Sequence, residues 1–112
     1  MPQQASFRAE RVNKLIKREL VLLLSNGTKD PRLKDVIITD VIVSRDLTSA
    51  KVFFSVDDAS HKDVNRLLNK ASGFFRSSLS KALDLRHTPS LSFIYDTAPN
   101  TGARMDDLLN KL

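Results

Sequence analysis

The chain has 112 residues, with 18 basic and 13 acidic side chains for a formal net charge of +5, and is 41% hydrophobic and 28% charged. That is enough for one compact core spanning 1–112, too short for two ordinary domains, and globular rather than disordered in balance. With no cysteine there is no disulfide, zinc–thiolate site or cysteine nucleophile, and the longest apolar run, Leu20 to Leu24, is far shorter than a membrane span.

From about Ser6 to Ser25, Val12, Leu15, Ile16, Leu20, Leu23 and Leu24 recur at helical spacing. Asn26-Gly27 supplies a stop for this helix. Arg11, Lys14 and Arg18 fall at i, i+3 and i+7 on a stripe away from the apolar side. A solvated helix face accounts for such a stripe, except that no Asp or Glu alternates with the positives. Lys29-Asp30-Pro31-Arg32 reads as a turn, and the β-branched stretch Val36 to Ser44 as a strand. Asp46-Leu47-Thr48-Ser49 turns the chain into a returning strand, Ala50 to Val56. Ala50, Val52, Phe54 and Val56 share its core face, and Phe53 on the opposite face is expected to be half covered by neighbouring strands rather than free to stack on a base.

Ser60-His61-Lys62-Asp63 has the form of a helix N-cap, and Lys62, Arg66 and Lys70 follow at steps of four. Val64, Leu67, Leu68 and Ala71 on one side of Gly73, and Phe75, Leu79, Ala82 and Leu83 on the other, keep helical spacing. A glycine inside a helix costs roughly 1 kcal/mol relative to alanine, so Gly73 marks a break, a kink or a close backbone approach. A helix restarting after Gly73 would aim free N–H groups among Lys70, Arg76 and the serines Ser72, Ser77 and Ser78, which suits an anion. A plain helix–helix corner with no ligand fits the same residues. The second helix is expected to run to about Leu85, ahead of Thr88-Pro89. Leu91, Phe93 and Tyr95 then alternate with Ser92, Ile94 and Asp96 in a third strand. Met105, Leu108, Leu109 and Leu112 line a short terminal helix or turn. The order helix, strand, strand, helix, helix, strand predicts an α+β layer, helices on one face of a three-stranded sheet.

Charge is unevenly spread. Residues 1–34 carry +5, 35–59 carry −3, 60–86 carry +4 and 87–112 carry −1. Both basic segments read as helical, and a polyanion such as nucleic acid is the most economical partner. Signs of catalysis are weak. Asp57-Asp58 with His61 reads as solvated turn rather than metal cluster, and neither a Gly-x-Ser-x-Gly elbow nor a phosphate-cradling glycine loop is present. Asn26-Gly27-Thr28 matches a glycosylation acceptor by chance, there being no apolar h-region at the N-terminus. No enzymatic activity, cofactor or membrane contact is expected, and the cytoplasm is the expected location.

The element order, with glycine between adjacent helices, resembles the type II KH domain, which holds single-stranded nucleic acid at a Gly-x-x-Gly loop. Here the junction reads Ala71-Ser72-Gly73, an interhelical Ala-x-Gly junction. Together with Lys29-Asp30-Pro31-Arg32, Val43-Ser44-Arg45-Asp46-Leu47, Lys70 to Ser77, Leu85-Arg86 with Pro89, Tyr95-Asp96 and Gly102-Ala103-Arg104, it makes the chain similar to the bacterial ribosome-binding factor A family along nearly its whole length. The resemblance implies a non-enzymatic, monomeric assembly factor. Such a factor binds the free small ribosomal subunit and its rRNA and promotes late maturation, including rRNA 5′-end processing. It is linked to growth in the cold and acts alongside assembly GTPases. With Leu112 as the last residue, the longer C-terminal extension of some members is expected to play no part. The candidate rRNA-binding residues are Arg11, Lys14, Arg18, Arg45, Lys70, Ala71, Ser72, Gly73, Arg76 and Lys81. The alternative is a basic adaptor recruiting an acidic protein.

Overall fold

The structure, a computed structural model, describes residues 2–28 and 30–97. The terminal segment with Met105, Leu108, Leu109 and Leu112, and the Gly102-Ala103-Arg104 stretch, lie outside the described residues. Helix α1 spans Pro2–Leu22 and strands β1 and β2 span Ile37–Val43 and Ser49–Ser55. Helices α2 and α3 span His61–Lys70 and Ser72–Ala82, and strand β3 spans Ser90–Tyr95. The sheet order is β1-β2-β3, β1 antiparallel and β3 parallel to β2. This is the expected KH-like, type II arrangement.

The core is one cluster to which every element contributes. Ile16 and Leu20 come from α1, Val64 and Leu68 from α2, and Phe75 and Leu79 from α3. The sheet adds Ile38, Val41 and Val43 from β1, Ala50, Val52 and Phe54 from β2, and Leu91 and Phe93 from β3. Simple alternation holds in β2 and β3 but slips in β1, where core residues step by three between Ile38 and Val41. A bulge there explains it: Ile38 pairs with Phe54 and Asp40 with Phe53, leaving Thr39 out of register. The Thr39 hydroxyl donates to the buried Asp96 carboxylate at 2.7 Å, tying the bulge to the end of β3. Phe53 lies outside the main core cluster yet is only 9% exposed, so it offers no stacking surface.

Both open sheet edges are capped by helix side chains. On β1, Asn13 Oδ1 accepts from the Val43 N–H at 2.8 Å and Lys17 Nζ donates to the Thr39 carbonyl at 3.3 Å. On β3, the Asn69 amide takes both backbone groups of Phe93, each at 2.9 Å. Asn65 Nδ2 adds a third bond to the Phe93 carbonyl at 3.2 Å. These contacts fix α1 and α2 laterally and occupy part of each edge, which blunts its capacity to recruit another strand.

Three local expectations are corrected. The interhelical break falls at Ala71 rather than after Gly73, and Gly73 sits in the first turn of α3 with no positive φ. Ala71 N–H closes α2 on the Leu67 carbonyl while its own carbonyl opens α3 by accepting from Phe75 N–H, so one residue serves both helices. Ser60 makes no side-chain cap; a 3-10 turn over Asp58–Ser60 leads into α2 instead. Helix α3 stops at Ala82, three residues early, because Leu83 is extended with φ −113° and ψ 139°. At the other end of the chain, α1 closes in a π-helical turn, Leu23–Gly27, before Thr28 extends.

Candidate nucleic-acid interface

Helix α3 presents Phe75 and Leu79 to the core, so Gly73, Arg76, Ser77 and Ser80 fall on a solvent-facing side. The loop after α3 folds back against that side. Arg76 Nε donates to the Thr88 carbonyl at 3.1 Å, pinning the loop just before the fully buried Pro89. Between helix and loop lies an open concavity of about 510 Å³, lined by Gly73, Arg76, Lys81, Arg86 and His87 with Ser77, Ser80 and Thr88. Among the described residues, three cations and no carboxylate make up its ionic lining.

A second cleft, of about 640 Å³, adjoins it and shares Arg86 and His87 as a common wall. Its other cations are Arg8 from α1 and Arg45 from the β1–β2 turn, with Asp46 and Asp84 beside them. Among the described residues, none of these five basic side chains lies within ion-pair distance of a carboxylate; the Lys or Arg pair that does form is Arg32 with Asp30, 3.0 Å apart. Repulsion among unpaired cations favours a bound polyanion.

Asp46 is committed to the turn that carries Arg45. Its Oδ1 accepts from the Ser44 hydroxyl at 2.7 Å, the Thr48 hydroxyl at 2.7 Å and the Thr48 N–H at 3.1 Å. Those bonds, the Ser44 hydroxyl foremost, hold its carboxyl below the usual carboxylate range. They also support Leu47, whose φ of 63° is left-handed without a glycine. Because the folded-state pKa is depressed, this stabilisation is complete above the unfolded value near pH 4 and is lost as pH falls through the folded value. Asp46→Ala should therefore unfold at lower temperature than the parent at pH 7, and the gap should narrow as the pH is lowered below the usual carboxylate range in a thermal-unfolding series.

The expected site residues divide into those the structure gathers and those it leaves beside the site. Gly73, Arg76 and Lys81 share the first concavity, and Arg45 lines the second. Ala71 and Ser72 are half-buried at the junction, and Lys70 is exposed at the end of α2. Arg11, Lys14 and Arg18 are all exposed, within about 40° of the direction opposite Ile16 on the helical wheel. They line neither concavity. Arg8, one turn before Arg11, joins their stripe to the second cleft. Sequence reasoning left Arg8, Arg86 and His87 out of the site. Arg8 stands three residues before Arg11, on the flank of the stripe, and was open to discovery by that spacing. Arg86 and His87 depend on how the loop folds back, which has no local signature.

The charge layout becomes a spatial dipole. Register places the β1–β2 turn and the start of β3 at one end of the sheet, through Ser49 opposite Ser90. The opposite end, where Ile37 meets Ser55, carries a cleft lined by Asp35, Asp57 and Asp63 with Arg32. There Asp58 and His61 approach to 3.7 Å and the His61 ring stacks on Tyr95 at 4.2 Å, which gives the pair a packing role. Among the described residues, no group of three metal-ligating side chains gathers, and no helix is long and apolar enough to cross a membrane.

Gly73 stands out within the site. Among the described residues, a Cβ built on it meets nothing within 4 Å, and its φ is not positive, so its backbone is open to any residue type. Neither internal packing nor conformation accounts for a glycine here.

Comparison with known proteins adds a family. The family model described as ribosome-binding factor A matches residues 8–109. The ribosome-binding factor A of Vesicomyosocius okutanii is 64% identical over 110 residues, covering 98% of this chain and 96% of that protein. The crystal structure of ribosome-binding factor A from Thermus thermophilus superposes with a TM-score of 0.72 at 22% identity, over 78% of this chain and 93% of that one. A homology model of the Thermus thermophilus factor, fitted into a cryo-EM map of its complex with the 30S subunit, gives a TM-score of 0.56 at 22% identity over 74% and 93% of the two chains. These structures share the fold described above.

Proposed function

The chain belongs to the ribosome-binding factor A family, and from that premise we propose that it binds the free small ribosomal subunit through its rRNA. The observation that carries this reading is the convergence of Arg76, Lys81 and Arg86 beside Gly73, adjoining Arg45 and Arg8, with no carboxylate paired to any of them among the described residues. The Thermus thermophilus relative fitted on a 30S subunit supports the partner. Arg11, Lys14, Arg18 and Lys70 extend the surface and neutralise further phosphates. Ala71, Ser72 and Gly73 keep the junction low, so that RNA backbone approaches protein backbone. Recognition is then by shape and charge more than by base edges.

The mechanism is preferential binding. The factor holds one rRNA arrangement more tightly than its alternatives and shifts the folding equilibrium without making or breaking a bond. In this reading it is not an enzyme, acts in the cytoplasm as a monomer beside assembly GTPases, and promotes late maturation, including rRNA 5′-end processing and growth in the cold. Sedimentation with purified small subunits tests it. With about six phosphates neutralised, affinity falls roughly a thousandfold between 50 and 200 mM salt; salt-insensitive association would contradict the reading. Competition by free rRNA fragments separates it from an adaptor for an acidic protein, which would ignore them.

Gly73→Ala gives a sharper check. Helical φ and open space predict a more stable protein by about 0.4–1 kcal/mol. The same methyl group stands where RNA is to approach, so small-subunit binding should weaken. A variant both more stable and equally tight would remove Gly73 from the interface.

A further inference from the structure

Phe74 is the anomaly of the aromatic set. The other phenylalanines with described side chains, Phe53, Phe54, Phe75 and Phe93, are at most 9% exposed, whereas Phe74 is 53% exposed. It is adjacent to Gly73 and lies on the outward side of α3. Lys81, seven residues on, falls on the same helical face about 10 Å along the axis. Lys70, four residues back, ends the preceding helix. The ring is not loose: it meets buried Phe75 edge to face, with centroids 5.4 Å apart and planes at 71°. A buttressed, half-exposed ring beside an unobstructed glycine, with Lys81 on its own helical face and Lys70 at the end of the adjoining helix, matches the ordering of one unpaired nucleotide, with base on ring and phosphate on ammonium.

We propose that Phe74 is the stacking platform for a single unpaired nucleobase. The proposal rests on the rRNA-binding reading of the surface and adds the side chain that engages a base. Charge favours this occupant: an apolar protein groove would gain nothing from Lys81 on the anchor's own helical face or Lys70 at the end of the adjoining helix, whereas each RNA base brings a phosphate with it. The α3 side chains that fix the platform, Phe75 and Leu79, are buried and stay in place when RNA leaves.

The test measures binding of the full chain to a fluorescent ten-nucleotide single-stranded RNA and to a blunt duplex of the same sequence. Phe74→Ala should weaken single-strand binding about 5- to 150-fold, the range for losing one base–aromatic stack, while the salt slope and duplex affinity stay unchanged. Phe74→Trp should restore binding and report it by quenching of indole fluorescence. Phe74→Leu, which preserves apolar packing and guards against misfolding of the alanine variant, should not restore it. Wild-type binding by the leucine variant, or equal loss on both RNAs, overturns stacking. Loss on intact small subunits with none on the naked strand overturns it too and assigns Phe74 to a ribosomal protein. Arg76→Ala/Lys81→Ala/Arg86→Ala is measured alongside. If that variant loses affinity and the Phe74 variants do not, stacking alone falls; if neither loses affinity, the rRNA-binding surface falls with it.

Discussion

Replacing Arg76, Lys81 and Arg86 together with alanine should lower affinity for small-subunit rRNA about a thousandfold at low salt. The three side chains line one concavity that has no carboxylate among its described residues. At the lower end of the range for hydrogen bonds to charged groups, each phosphate contact contributes about 1.5 kcal/mol, or about tenfold. The slope of log affinity against log salt should also become shallower by about three, since three fewer counterions are released. Arg32→Ala/Lys34→Ala serves as the control. Arg32 is paired with Asp30 and lines the acidic cleft at the other end of the molecule, so this variant should bind as the parent does. Filter binding or anisotropy over a salt series reads both quantities. Circular dichroism confirms the fold, because Arg76 also pins the Thr88 carbonyl. An unchanged slope in the triple variant would move the interface away from α3.

The second large effect is on stability. Phe75→Ala should destabilise the protein by about 3–5 kcal/mol, the range for removing a buried aromatic ring and leaving a cavity. Phe75 is 1% exposed, with Phe93 on one side at a centroid distance of 5.4 Å and Phe74 on another. In a domain whose total stability is typically about 5–15 kcal/mol, that loss is a large share of the whole and, at the low end of that range, leaves the fold marginal. Phe74→Ala, next in the chain, should shift stability far less because half its surface is already in water. Urea denaturation of the two variants side by side tests the division of labour within one dipeptide: Phe75 positions α3, and Phe74 meets the ligand. Equal destabilisation would mean that both rings are structural.

The fold was legible where periodicity is strong. The apolar repeat of α1 and the alternation of β2 and β3 each gave an element within a few residues of where it lies. Legibility failed where tertiary contacts decide. Nothing local marks Thr39 as a bulge; the Asp96 partner that fixes it is 57 residues away. Leu47 takes a left-handed conformation that composition assigns to Gly or Asn, because three bonds to Asp46 hold the turn around it. Ser60 has cap chemistry, yet the preceding 3-10 turn delivers the chain into α2 without it. Helix propensity places the junction at Gly73, but the hydrogen-bond pattern puts the break at Ala71. That leaves Gly73 without an internal reason and strengthens an external one.

The site was legible in its charges and not in its shape. Helical spacing found Arg11, Lys14 and Arg18 as one stripe, and proximity to the glycine found Lys70 and Arg76. It did not show that Arg76 and Lys81 would meet Arg86 across a returning loop, nor that the β1–β2 turn would bring Arg45 to the same end. Those meetings follow from the parallel pairing of β2 with β3, which sets Ser90 beside Ser49 and so returns the loop to the hairpin end. The cleft lined by Asp35, Asp57 and Asp63 lies at the far end by the same register, so one sheet separates it from the cationic concavity.

The measurement that bears most directly on this account is an amide chemical-shift titration of the isotopically labelled protein with fragments of small-subunit rRNA. The account predicts perturbations concentrated at Gly73, Ser77, Lys81, Arg86 and Arg45 and continuing through Arg8 to Arg11, with Asp35, Asp57 and Asp63 silent. Perturbations centred on the acidic end, or spread evenly over both ends, would contradict it.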